Sequence, residues 1–212
     1  MKTVIVTGTP GTGKTTIAKK LAKKLNYHYI DVNKLISKYK LAEGYDRKRK
    51  TKIVDIKRLN KLLINYIVFF KKYKFINENA LLSKARSTKT LKNFKKVFGV
   101  PKIPKEFFRT LTKLNIKKNI DIKKIKGIII DSHLSHYLPR KYVDFCIVTK
   151  CDIEELNKRL KIKKFHKNKI QENLQAEIFN VCYNEALEKK HRVFVVDTTK
   201  GFNISYVAKQ LG

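Results

Sequence analysis

Residues 3–16 read Thr-Val-Ile-Val-Thr-Gly-Thr-Pro-Gly-Thr-Gly-Lys-Thr-Thr, and the fold turns on this stretch. The β-branched run from Thr3 to Thr7 suits a strand buried on both faces of a parallel sheet. A glycine-rich turn follows at once. From Lys14 to Leu25, residues Ile17, Ala18, Leu21, Ala22 and Leu25 fall on one helical face and Lys19, Lys20, Lys23 and Lys24 on the other. Gly8 to Thr15 matches GxxxxGK[ST], in the setting that motif requires, between a strand and a helix start. Gly8, Gly11 and Gly13 let successive backbone N–H groups turn inward around a polyphosphate, and the helix start adds partial positive charge. Lys14 is placed to reach the β and γ phosphates, Thr15 to present its hydroxyl to Mg²⁺, and Thr16 to bond the α phosphate. ATP is the expected ligand and Mg²⁺ the expected cofactor.

Beyond this unit the pattern repeats. Tyr27 to Ile30 reads as a strand, and Asp31 as the cap of a short helix reaching about Tyr39. A polar stretch holds Gly44 to Lys52. Asp55 is placed to cap a helix with the apolar stripe Ile56, Leu59, Leu63, Tyr66, Ile67 and Phe70. Further strands are expected at Gly127 to Asp131, Phe145 to Thr149 and Arg192 to Asp197. Asp152 with Glu155 resembles a capping box before LNKRL, and Ile170, Leu174, Ile178, Val181, Cys182 and Ala186 mark one face of a long helix. Asn203 to Leu211 reads as a closing helix. Alternating strands and helices predict an α/β fold with a mostly parallel, doubly wound sheet. Residues 71–126 break the alternation: they are lysine-rich, with Pro101 and Pro104, and read as an inserted basic lobe of one or two amphipathic helices.

Composition bounds the reading. At 212 residues and 42% hydrophobic the chain has room for one domain with a full core and is not a disordered chain. No apolar run approaches the roughly 20 residues needed to span a bilayer, and the expectation is an untargeted cytoplasmic protein with no membrane partner. Cys146, Cys151 and Cys182 form no CxxC pair, so neither a zinc knot nor a disulfide framework is expected. Lys plus Arg number 50 against 17 Asp plus Glu, a formal charge of +33. Such a field favours polyanion partners, rRNA among them. The competing reading is compositional, since AT-rich coding also enriches lysine, isoleucine and asparagine.

Asp131 closes the strand Ile128-Ile129-Ile130, where a carboxylate emerges beside the glycine loop at the sheet's C-terminal edge and can hold Mg²⁺ through water. His133 and His136 follow in DSHLSH. An imidazole two residues past the aspartate can orient an attacking water or touch the γ phosphate; the alternative is a surface turn whose histidines only bond neighbours. HxxH by itself lacks the further clustered ligands of a zinc site.

Four segments together, GTPGTGKTT at the N-terminus, EGYD at Glu43 to Asp46, DSHLSH at Asp131 and KIQENLQAEIF at Lys169 to Phe179, resemble the adenylate-kinase-like ATPases of archaea and eukaryotes that assist maturation of the small ribosomal subunit. The likeness covers most of the chain except the insert. It implies a five-stranded parallel sheet in the order 2-3-1-4-5, a monophosphate-binding region at residues 31–54 and a lid at residues 162–172. It also implies ATP:AMP phosphotransfer with broad nucleoside monophosphate tolerance, an ATPase activity, and a platform protein of the small subunit as partner. By position, Arg58 matches an arginine expected to help hold the acceptor nucleotide, though a solvated helix residue is the plainer reading. The chain departs from the family at Ser37, where relatives carry arginine and this chain has only the adjacent Lys38, and at Lys163-Lys164, which replaces an Arg-Gly pair. Lysine keeps the charge but loses the planar fork, so poorer discrimination at the lid is expected. Three readings stand: a nucleoside monophosphate kinase, a ribosome-assembly ATPase, and a passive RNA-binding protein with a vestigial loop. The intact lysine, hydroxyl and aspartate argue against the last.

Overall fold

The computed structural model describes residues 1–47, 51–73 and 125–211. Five strands form one sheet: β1 (Lys2–Thr7), β2 (Tyr27–Asp31), β5 (Gly127–Asp131), β6 (Phe145–Lys150) and β7 (Val193–Asp197), in the order β2-β5-β1-β6-β7. All four pairings are parallel. Numbered within this sheet alone, the order is 2-3-1-4-5, as expected. Strand β1 lies between two neighbours that come later in the chain, so the connections part on either side of it and leave a crevice at its C-terminal end. The glycine loop sits there.

Near-continuous burial along β1, β5 and β6 explains why these runs read as apolar rather than alternating. One sheet face carries Val4, Val6, Ile129, Ile147 and Val196. It packs with Ile17, Ala18, Leu21 and Ala22 of α1 (Lys14–Leu25), and with Val207, Ala208 and Leu211 at the closing helix α7 (Ile204–Gln210). Each large aliphatic side chain removed from water there contributes about 1.5–3 kcal/mol, which outweighs the modest helix propensity of Ile17. Asn203 caps α7, its side chain accepting from the Ser205 and Tyr206 N–H groups.

Helix α2 (Val32–Lys38) is capped by Asp31, whose carboxylate accepts from the Lys34 N–H. Helix α3 (Ile56–Tyr73) starts at Asp55, which accepts from the N–H groups of Lys57 and Arg58. The stretch read as merely polar holds instead a hairpin, β3 (Ala42–Asp46) against β4 (Thr51–Val54), antiparallel, with an irregularity between Ala42 and Gly44. Tyr45 and Ile53 are exposed on it. A two-stranded ribbon with so little buried surface shows no apolar alternation for a sequence reading to find.

The long helix expected from Ile170 to Ala186 is two helices, α5 (Lys167–Ile178) and α6 (Val181–Glu188), broken at Asn180 in the left-handed region (φ 52°). The supposed continuous stripe fails at the break, where Ile178 and Val181 are exposed. Helix α4 (Ile153–Ile162) starts at Asp152, which accepts from the Glu154 and Glu155 N–H groups; the Glu155 side chain turns away to Arg159 instead of completing a capping box. Helices α4 and α5 share a small core of Cys151, Leu156, Leu160, Ile170 and Leu174.

Two compact units divide the chain: residues 1–64 with 126–212, and residues 65–125. In the second, residues 65–73 are helical, with Tyr66, Ile67, Phe69 and Phe70 buried and the last two rings edge to face at 5.6 Å. The expected helical lobe of the insert lies almost wholly outside the described residues.

Candidate functional site

The loop from Gly8 to Gly13 bends because its neighbours leave no alternative. At Gly8 (φ +137°) a Cβ would stand 2.5 Å from the Thr149 carbonyl oxygen, and at Gly11 (φ +99°) one would stand 2.7 Å from Leu156 Cδ1. The loop is thus seated on the end of β6 and on α4 as well as strung between β1 and α1. No side chain caps α1 at Gly13, and Gly13, Lys14, Thr15 and Thr16 at this helix start line the crevice. The Lys14 ammonium donates to the carbonyls of Gly8 (2.7 Å) and Thr9 (2.8 Å). Burial lowers its pKa from 10.5 to about 8, only partly offset by Cys182 and Asp131. A cation held by two carbonyls and short of water is poised for an anion.

Opposite the loop, Asp131 ends β5 in register with Val6 of β1 and Asp31 of β2. It is buried, and one oxygen accepts both the Thr15 hydroxyl (2.7 Å) and the Tyr29 hydroxyl (2.9 Å). Burial and then Asp131 push the Tyr29 phenol up, so it stays a donor. A hard carboxylate beside a hydroxyl, with room for water and phosphate oxygens, is the donor set Mg²⁺ takes, and the residues fit the ion. Tyr29 is a contact that the sequence reading missed.

His133 and His136 part company. His133 lines the crevice, and desolvation by the surrounding protein, and after it the Lys14 ammonium, lower its pKa to about 4. It is a neutral imidazole near pH 7. His136 is buried and turned away: Nδ1 is 2.7 Å from the Thr7 hydroxyl and Nε2 is 2.8 Å from Glu185 Oε2. It braces the turn after β5 against α6, the neighbour-bonding alternative. Among the described residues no cluster of three metal-ligating side chains occurs.

These groups meet in one open crevice of about 1030 Å³, lined by Gly11, Gly13, Lys14, Thr15, Thr16, Asp131, His133 and Lys163 among others. Gly8 shapes the loop from behind. Arg58 is not in this lining; it is exposed on the first turn of α3. Ser37 is exposed on α2, and the neighbouring Lys38 ammonium sits 5.5 Å from the Tyr39 ring centroid. Sequence reasoning missed Arg159, which lines the crevice and donates to the carbonyls of Thr198 (2.8 Å) and Thr199 (3.2 Å). It also missed Lys169, Asn173 and Phe202 of the same lining; spacing gave no signal for them.

Lys163 terminates α4 and Lys164 takes the left-handed conformation at φ 56°. A β-carbon in that conformation costs about 1 kcal/mol. Lys164→Gly is therefore expected to raise stability by about 0.5–1 kcal/mol, read as a higher urea midpoint at unchanged slope.

A glycine-wrapped loop between strand and helix, a lysine inside it and an aspartate on the adjacent strand define a P-loop nucleotide-binding protein. An AAA domain family model (AAA_18) matches residues 4–67. A Methanosarcina mazei protein named "Putative adenylate kinase" is 30% identical over 194 residues, covering 92% of this chain and 77% of its own length. The Saccharomyces cerevisiae adenylate kinase isoenzyme 6 homolog FAP7 is 27% identical over 195 residues, covering 92% and 71%. A solved shikimate kinase from Bacteroides thetaiotaomicron superposes with a TM-score of 0.41 at 14% identity, over 99% of this chain and 95% of its own. The chain belongs to the adenylate-kinase-like family. Among the described residues no helix is long and apolar enough to cross a membrane.

Proposed function

We propose that this protein is a nucleoside monophosphate kinase of the adenylate kinase type, acting in the cytoplasm with ATP and Mg²⁺, and that it also hydrolyses ATP. The observation that supports this most is the convergence of Lys14, Thr15 and Asp131 on one crevice at the end of the central strand. The loop amides and Lys14 would hold the β and γ phosphates, with Lys14 exchanging its two carbonyl partners for phosphate oxygens. Thr15 and Asp131 would hold Mg²⁺, which neutralises charge on the transferred group when bound. An oxygen of the AMP phosphate then forms a bond to the γ phosphorus as the bond to the ADP oxygen breaks, leaving two ADP. The protein's contribution is alignment and electrostatics. Residues 31–54 with Arg58 are the proposed acceptor region, and residues 162–172 the lid. Lys163 supplies charge there without a bidentate fork, which favours broad monophosphate tolerance over tight selection.

A second reading, AMP-independent hydrolysis during small-subunit maturation with a platform protein and rRNA as partners, draws support from His133. A neutral ring lining the same crevice as Lys14 can accept a hydrogen bond from water, which a cation cannot. The charge of +33 suits an rRNA surface. ADP formation from ATP, measured with and without AMP and again with small-subunit RNA, separates the two. Stimulation by AMP with stoichiometric loss of AMP supports the kinase; turnover indifferent to AMP removes it. His133→Ala is expected to lower hydrolysis about 100-fold while ATP affinity stays within about twofold, and a collapse of affinity instead would make His133 structural.

A further inference from the structure

Helix α5 carries a carboxylate for which the reading above has no use. Lys169, Glu172, Asn173 and Ala176 line the crevice at helical spacing. The next residue, Glu177, is only 4% exposed. An ionised carboxylate so placed is costly unless its oxygens are bonded. Both are: Oε2 accepts the Thr9 hydroxyl at 2.5 Å, Oε1 accepts the Cys151 N–H at 3.0 Å, and the Lys150 ammonium lies 3.4 Å from Oε1.

Thr9 is one of the unspecified positions of the glycine motif, yet it is a hub of the loop. Its carbonyl accepts the Lys14 ammonium, the Thr12 N–H at 3.2 Å and the Thr12 hydroxyl at 2.8 Å. Its own side chain is buried and committed to Glu177, 168 residues away in the chain. One short charge-assisted bond therefore ties the phosphate loop to the helix that presents Lys169, Glu172 and Asn173 to the same crevice.

We propose that Thr9 and Glu177 form a positioning latch that holds the phosphate loop in its receiving shape and keeps α5 seated beside it. The latch acts on nucleotide binding through Thr9 and touches no reacting atom. It rests on the nucleotide reading of the crevice given above. Thr9→Val removes the hydroxyl at nearly constant volume, Thr9→Ser keeps it, and Glu177→Gln keeps the shape but removes the charge.

Binding of Mg-ATP by titration calorimetry, steady-state KM and kcat, and melting temperature are to be measured on the full chain. Thr9→Val and Glu177→Gln are each expected to raise Kd and KM for ATP about 10-fold, with kcat changed less than about threefold, while Thr9→Ser stays near wild type. The double variant Thr9→Val with Glu177→Gln is expected to be no weaker than the weaker single one, because once valine has removed the hydroxyl the charge at position 177 has nothing left of the latch to hold. Binding within about twofold of wild type in both single variants, an equal defect in Thr9→Ser, or additive losses in the double variant would each overturn the latch. A lowered melting temperature with unchanged KM would reduce it to ordinary packing and overturn it too. Should Glu177→Gln fail to fold, the contrast of valine and serine at position 9 still decides. Absence of ATP binding by the unsubstituted protein overturns the nucleotide reading and the latch with it; binding that the variants leave intact overturns the latch alone.

Discussion

Lys14→Ala is expected to cut ATP turnover by about 100- to 1,000-fold, in kinase and hydrolysis assays alike, with the fold intact. The magnitude is that of removing one preorganised donor from developing charge in a water-poor site. The fold survives because, among the described residues, the ammonium bonds only two carbonyls of its own loop, at 2.7 and 2.8 Å, and its burial is a cost to the folded state rather than a support. Circular dichroism and the melting temperature check that part. The depressed pKa adds a pH signature of definite sign. Below about pH 8 the lysine is charged and attracts the triphosphate. Above it the free protein loses that charge, so binding must take up a proton and the Kd for ATP should rise, by up to about tenfold per pH unit until lysine is neutral in both states. Lys14→Ala should erase this limb. A wild-type Kd flat from pH 7 to 10, or turnover persisting in Lys14→Ala, would remove the lysine from the mechanism.

Asp131→Asn is expected to lower turnover by about 100-fold or more and to shift the Mg²⁺ concentration for half-maximal rate upward. The asparagine retains an oxygen where both the Thr15 and the Tyr29 hydroxyls now donate, at 2.7 and 2.9 Å, so the local hydrogen bonds can persist while the negative charge is lost. That separates charge from shape. Tyr29→Phe provides the companion measurement: it removes one donor from the same oxygen and should leave the Mg²⁺ requirement within a fewfold of wild type. If Asp131→Asn turned over ATP normally at low Mg²⁺, the carboxylate would be a structural acceptor for Tyr29 and Thr15 and nothing more.

Much of the site was legible because its parts are local. Gly8 to Thr16 is one continuous stretch whose backbone makes the cradle, and Asp131 follows a run of three isoleucines that reads as a strand. The separation of His133 from His136 was not legible. Both are polar residues of one turn, and only the packing of α6 shows that Glu185 claims His136 while His133 is left lining the crevice. The break at Asn180 was missed for a different reason. Apolar periodicity continues across it by coincidence of spacing, whereas the single residue that ends α5 is an asparagine, the commonest non-glycine residue in the left-handed conformation that stops a helix. Had that preference been weighed above the stripe, the two helices would have been separated.

From sequence alone came the class of fold, the phosphate loop and the aspartate facing it, since each depends on residues adjacent in the chain or on the burial pattern of a single strand. Tertiary structure alone decided which distant groups complete the site. The parallel sheet gathers the C-terminal ends of all its strands at one edge, and so brings Tyr29 to Asp131 across 102 residues, Arg159 to the loop after β7, and Glu177 to Thr9 across 168. Such contacts are set by strand order and register, which depend on the summed packing of the whole core and leave no periodic trace in any one segment.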